Sequence, residues 1–190
     1  MTMKWSVLCL AAAAMLLVAC KDKKSASNEI ITTDYEVPQP KAPIAMADKT
    51  DRTDVEWVEG RRYMVKVARM AVDSLPKVSN AYGQQFIDNL VDVQVMRADS
   101  SVFFHRRFTK SAFANWLAGE YKKNAILQGI SFQRAEGDNL LFVAWLNYPE
   151  SGEDEAVDLQ LSVSRLGDVS IAPFDENDRD DLKMMDEEEE

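Results

Sequence analysis

Between residues 61 and 174, apolar and polar side chains alternate with period two in one segment after another, and the joints are short. No other feature constrains the fold as much. A period of two sends successive side chains to opposite faces of an extended chain. Short joints admit only antiparallel neighbours, because a parallel pair needs a crossover of about a dozen residues or more. Strands are expected over 61–73, 86–97, 102–108, 125–134, 139–148, 156–163 and 169–174. Ser74-Leu75-Pro76 closes the first, since proline gives no ladder donor and restricts the residue before it. Ala98-Asp99-Ser100, Glu136-Gly137-Asp138-Asn139 and Leu166-Gly167-Asp168 supply turns. The run from Leu140 to Leu146 is apolar on both faces, which marks a central, covered strand.

The period changes once. After Thr109, the residues Ala112, Phe113, Trp116, Leu117 and Tyr121 form a stripe at helical spacing. Thr109 has the chemistry of an N-cap, and Phe108 and Phe113 have the spacing of a hydrophobic staple. The spacing predicts a helix over 110–122, and Thr109→Ala is then expected to cost about 1 kcal/mol. The fold expected is therefore α+β: a curved antiparallel meander of about seven strands packed on a single helix inserted after the third strand.

Ahead of this body stands a different kind of sequence. Lys4 is followed by an apolar run from Trp5 to Ala19 that ends in Leu17-Val18-Ala19-Cys20. The run has the length of a signal peptide and falls short of the ~20 residues that span a bilayer. Its last four residues have the form of a lipobox, whose cysteine is acylated and becomes the first residue after cleavage. Residues 1–19 are thus expected to be a lipoprotein signal peptide and Cys20 the lipidation site. Membrane attachment would run through diacylglyceryl and acyl groups on Cys20. Residues 20–54, with Pro38, Pro40 and Pro43, read as a flexible tether of roughly 30 Å. Within it Ile31, Thr33, Tyr35 and Val37 alternate and could add an edge strand. Residues 55–174 are the globular domain.

The chain has two cysteines, and Cys9 lies in the leader. With Cys20 acylated, the domain keeps no thiol for a disulfide, a Cys-based metal site or a cysteine nucleophile. The net charge of −10 is also local: residues 175–190 hold ten acids and two bases, leaving the rest of the chain at −2. That acidic end reads as a solvated, disordered tail, and the near-neutral body carries no footprint for nucleic acid.

Candidate chemistry is sparse. His105 is the only histidine. It sits in Phe104-His105-Arg106-Arg107, where neighbouring cations would disfavour its protonation, and no Gly-x-Ser-x-Gly turn accompanies it. It reads as a surface strand residue. One histidine without a thiol makes zinc a poor fit, and no metal or cofactor is expected. Arg106, Arg107 and Lys110 lie beside the expected helix start, where free amides and the dipole attract anions, so they form the candidate anion-binding set. Trp116 and Trp145 fall on apolar faces and read as core.

Leu17-Val18-Ala19-Cys20, Ser74-Leu75-Pro76-Lys77-Val78, Ile87-Asp88-Asn89, Val95-Met96-Arg97 and Phe108-Thr109-Lys110-Ser111-Ala112-Phe113 together carry a resemblance. Through about Phe174 the chain resembles an uncharacterised family of Bacteroidetes lipoproteins with a domain of unknown function. The resemblance implies a diderm bacterium and an outer-membrane anchor, and no activity. After the cysteine, Lys21-Asp22-Lys23-Lys24 turns basic where surface-exposed lipoproteins of that phylum carry several acids, which favours the periplasmic face. The function expected is non-enzymatic binding of an envelope protein or glycan. The alternatives are an envelope polysaccharide hydrolase using paired carboxylates, or a structural subunit of an envelope complex.

Overall fold

The computed structural model describes residues 41–151 and 155–175. The leader, Cys20, the alternating stretch from Ile31 to Val37 and the acidic end beyond Asp175 lie outside the described residues.

Ten strands follow one another: β1 (Lys49–Trp57), β2 (Arg61–Ala71), β3 (Val78–Ser79), β4 (Gln85–Phe86), β5 (Asn89–Arg97), β6 (Val102–Phe108), β7 (Ile126–Glu136), β8 (Asn139–Asn147), β9 (Val157–Ser164) and β10 (Val169–Pro173). They form two four-stranded antiparallel sheets, ordered β1-β2-β5-β6 and β10-β9-β8-β7, and a small β3–β4 hairpin. Each large sheet is built from chain neighbours, as the short joints require, with the β3–β4 hairpin inserted between β2 and β5. Ile44 bridges Phe86 from the far side of that hairpin.

The two sheets share one core. Val65 and Val67 of β2, Val91, Val93 and Val95 of β5, and Phe104 and Phe108 of β6 belong to the same buried cluster as Leu127, Phe142, Leu146, Leu161 and Val163 of the second sheet. β7 lies against β1, β2 and β5, so the second sheet meets the first through this strand. Alternation puts the other half of each strand on an outer face, where Lys66, Asp92, Gln94 and His105 of the first sheet are found.

The expectation of an α+β fold, with about seven strands on a single inserted helix, is overturned. Among the described residues the protein is a β structure of ten strands, in two four-stranded sheets and one two-stranded sheet, with almost no helix. The segment expected as a helix over 110–122 is a four-residue 3₁₀ turn at Lys110–Phe113 and a six-residue helix, α1, at Gly119–Asn124. Two local causes are visible. Gly119 takes φ +54°, a left-handed conformation that ends one turn before the next begins, and Ala118 ahead of it is extended. Second, the stripe is not buried as a stripe: Phe113 and Leu117 enter the core, whereas Trp116 is 42% exposed. A segment with two core anchors is held as an irregular crossover from β6 to β7, and the core is closed sheet on sheet instead.

The expected cap is also absent. Thr109 makes no side-chain cap, and its hydroxyl pairs with that of Ser111 at 2.7 Å. Thr109→Ala should therefore change stability by less than about 0.5 kcal/mol, the usual range for a surface substitution away from a cap. A chemical denaturation midpoint shifted by more than that would restore the cap.

The three additional strands have clear reasons for escaping a pattern search. β1 has the sequence Lys-Thr-Asp-Arg-Thr-Asp-Val-Glu-Trp and is exposed along nearly its whole length, so it lacks an apolar face. It is a strand because it pairs with β2 residue for residue from Lys49–Arg69 to Trp57–Arg61. It starts within the stretch that the sequence assigns to the tether. β3 and β4 are two residues each, too short to show a period.

Candidate functional site

The three residues expected to form one anion site are dispersed by the fold. Arg106 shares the core-side register of β6 with Phe104 and Phe108, and its guanidinium lies 5.6 Å from the centre of the Phe108 ring. Arg107 is on the opposite, outer face, opposite Asp92 in the neighbouring strand. Lys110 turns inward and is mostly buried.

Lys110 follows β6 directly, and the 3₁₀ turn folds its side chain back under the crossover. Nζ donates to the carbonyl oxygen of Ala125 at 2.7 Å and to that of Lys123 at 3.3 Å. It lies 3.9 Å from Oδ2 of Asp88, and the two side chains are only 17% and 4% exposed. Asp88 Oδ1 in turn accepts from the backbone N–H groups of Asn89 at 2.8 Å and Leu127 at 3.0 Å. Asn89, fully buried, donates to the Leu127 carbonyl at 2.9 Å. Asp88 immediately precedes β5, Asn89 opens it and Leu127 is the second residue of β7, so this polar knot ties one sheet to the other. Burial raises the Asp88 carboxyl above its ordinary value, outweighing the two N–H bonds and the Lys110 charge. Burial likewise lowers Lys110, and the carboxylate only partly offsets it.

A second constellation lies on the outer face of the first sheet. Asp92 of β5 stands between two residues of β6: His105 Nε2 is 3.0 Å from Oδ1 and 3.1 Å from Oδ2, and Arg107 Nε is 3.2 Å from Oδ2. Burial pushes the Asp92 carboxyl up, but the hydrogen bonds and charges of His105 and Arg107 prevail and hold it below its ordinary value. The Asp92 side chain is 11% exposed, against 42% for His105 and 66% for Arg107. The acid is the floor, and its two partners are the accessible groups. The cations beside His105 in the sequence are thus not its immediate partners. Arg106 points to the other face, and the group that His105 touches is an acid 13 positions upstream. The hairpin at Ala98-Asp99-Ser100 was the available signal, because an antiparallel register running back from that turn brings β5 acids level with β6 bases.

Elsewhere the tryptophans divide. Trp57 is buried and donates from Nε1 to the Gly137 carbonyl at 3.2 Å. Trp145 is not core: it lies on the outer face of the second sheet, across Gly129 of β7, its register partner. Among the described residues no three His, Cys, Asp or Glu side chains gather as a metal ion would need.

Residues 30–171 match the family described as a domain of unknown function, DUF4738. The chain belongs to the DUF4738 family. The DUF4738 match contains β1 to β9 whole, the Lys110–Asp88 knot and the Asp92 constellation, and ends inside β10. It also begins ahead of the described residues, at Ile30. A comparison with curated proteins finds no match.

Proposed function

We propose that this DUF4738 chain is a lipid-anchored, non-enzymatic binding domain of the bacterial cell envelope. Cys20 holds it to the outer membrane, with the periplasmic face as its side. The observation that carries the reading is Leu17-Val18-Ala19-Cys20, which closes a leader-length apolar run just ahead of a folded domain. The likeness to Bacteroidetes lipoproteins supports the outer-membrane address, and Lys21-Asp22-Lys23-Lys24 supports the periplasmic side.

Two structural facts favour binding over hydrolysis by paired carboxylates. A glycosidase needs one acid with a raised pKa beside substrate, about 5–10 Å from a second carboxylate. Among the described residues Asp88 is the carboxyl that burial raises, and it is 3% exposed and bonded to the protein's own N–H groups. Asp92, the other largely buried aspartate among the described residues, is held low by His105 and Arg107, whose hydrogen bonds both fall on its Oδ2.

Growth with an alkyne-bearing palmitate analogue, followed by purification, tests the anchor. The wild-type protein should carry the label in the outer-membrane fraction and stay protected from protease added to intact cells, and Cys20→Ala should carry none. Label that survives Cys20→Ala would end the lipoprotein reading, and cleavage in intact cells would end the periplasmic one.

A further inference from the structure

We propose that the outer face of the β1-β2-β5-β6 sheet is a phosphoryl-binding site, built by Lys66, Arg107 and His105 with Arg52 at its rim. The proposal rests on reading the chain as a binding domain, and supplies the chemical class of what is bound.

Register defines the site. Arg52, Lys66, Gln94 and His105 are successive cross-strand partners, one from each strand of the sheet. In the next row Thr50, Ala68, Asp92 and Arg107 are partners in the same way. Strands lie about 4.8 Å apart, so Lys66 and His105 are roughly 10 Å apart at the backbone, with Gln94 between them. Lysine and arginine side chains are long enough to reach a single group above Gln94 from those positions. The acids of the same face, Asp54 and Glu56, lie towards the β1–β2 turn, opposite Met64 and Arg62.

Two features point to an anion and not merely to a charged surface. Arg52 and Lys66 face each other directly, an arrangement of like charges that costs stability unless something neutralises it. No acid within the described residues pairs with either, although ion pairs form elsewhere on the surface, as at Arg61–Glu59 and Arg134–Glu136. The second feature is the use made of Asp92. It holds Arg107 by Nε and His105 by Nε2, which leaves the terminal nitrogens of Arg107 and the other ring nitrogen of His105, on two accessible side chains, without a hydrogen bond among the described residues. A guanidinium fixed on one side by a sheltered carboxylate presents its fork already oriented for an oxyanion. Asp92 is a positioning residue in this site. A phosphoryl group, with several oxygens and more than one charge, fits donors arriving from three strands better than a single carboxylate does.

The test is a titration of the full mature chain in detergent with inorganic phosphate, followed by the amide and His105 ring signals in NMR. Sodium chloride at matched ionic strength removes general screening. Signals of Lys66, Gln94, His105 and Arg107 should shift and saturate. Lys66→Gln and Arg107→Gln should each weaken binding about tenfold, the loss of one charge-assisted contact. Arg106→Gln, on the other face of β6, should leave it unchanged. Phosphatidylglycerol bicelles form a second arm: binding there as well assigns the phosphoryl group to a lipid headgroup, and binding of phosphate alone assigns it to a small ligand. The absence of a saturable shift in both arms would overturn the site, as would equal weakening by Arg106→Gln. Neither result bears on palmitate labelling of Cys20, so anchor and site fail separately.

Discussion

Lys110→Met is expected to destabilise the protein by about 3 kcal/mol, the scale of breaking a buried ion pair from one side. Methionine keeps the length and apolar stem of the side chain but removes the charge and its hydrogens. The carbonyls of Ala125 and Lys123 lose their donor, and Asp88 keeps its burial without its cation. The pH dependence has a definite sign. Burial raises the folded-state carboxyl of Asp88, so its protonated form is the one the fold prefers. That preference is fully present below the unfolded pKa of about 3.9 and is lost as pH rises through the folded value. Without Lys110 the ionised form is costlier still, so the deficit of the variant should shrink on acidification towards pH 4. Urea midpoints at neutral and acid pH measure both quantities. A midpoint unchanged at pH 7 would mean that the knot between the sheets is not held by Lys110.

Gly129→Ala should cost about 2 kcal/mol through overpacking on an outer face that looks permissive. A methyl group at Gly129 would overlap Trp145 Cζ2 and lie 2.7 Å from Cη2, so the indole must leave its seat across β7. Tryptophan emission should move to the red as the ring gains water. The specific claim is the coupling: in a Trp145→Ala background the same substitution should be close to neutral, because the obstructing ring is gone. Losses that add without interaction across the two sites would show that the glycine answers to something other than Trp145.

What could be learned from the sequence followed the physics of each segment. Most of β2, β5 and β6 to β10 announce themselves because one face is buried and the other wet, which writes a period of two into the chain, while β8 stands out as a run apolar on both faces. β1 does not, since an exposed edge strand has no apolar face to reveal it and is defined by its partner. The helix over 110–122 was inferred from an apolar stripe and a capping residue. The residues are there, but Thr109 caps nothing, and Gly119 with the two-point anchoring by Phe113 and Leu117 makes the segment a crossover. Lys110 shows the limit most clearly. Its charge and place suggested a ligand in solvent, whereas its partners are carbonyls 13 and 15 residues ahead and a carboxyl 22 behind. Of the three candidate anion ligands, Arg107 alone remains on a face where an anion could meet it. Its true neighbours there, Lys66 and His105, come from register rather than from adjacency.

The charge on β1 has one more effect. Sheets that end in open edges can continue into another molecule, and this protein has several such ends. β1 presents nine residues of unpaired edge, yet Lys49, Asp51, Arg52, Asp54 and Glu56 are spread along it. A second copy laid antiparallel against it would bring charges of mixed sign, with their hydration shells, into the new ladder. β6 ends the same sheet with His105-Arg106-Arg107, and β10 ends the other with five residues closing on Pro173. On these three edges the composition of the strands itself, without a covering helix, works against fibres and edge-linked dimers. Substituting the β1 charges to lengthen a hydrophobic face would remove that protection while leaving the shared core intact.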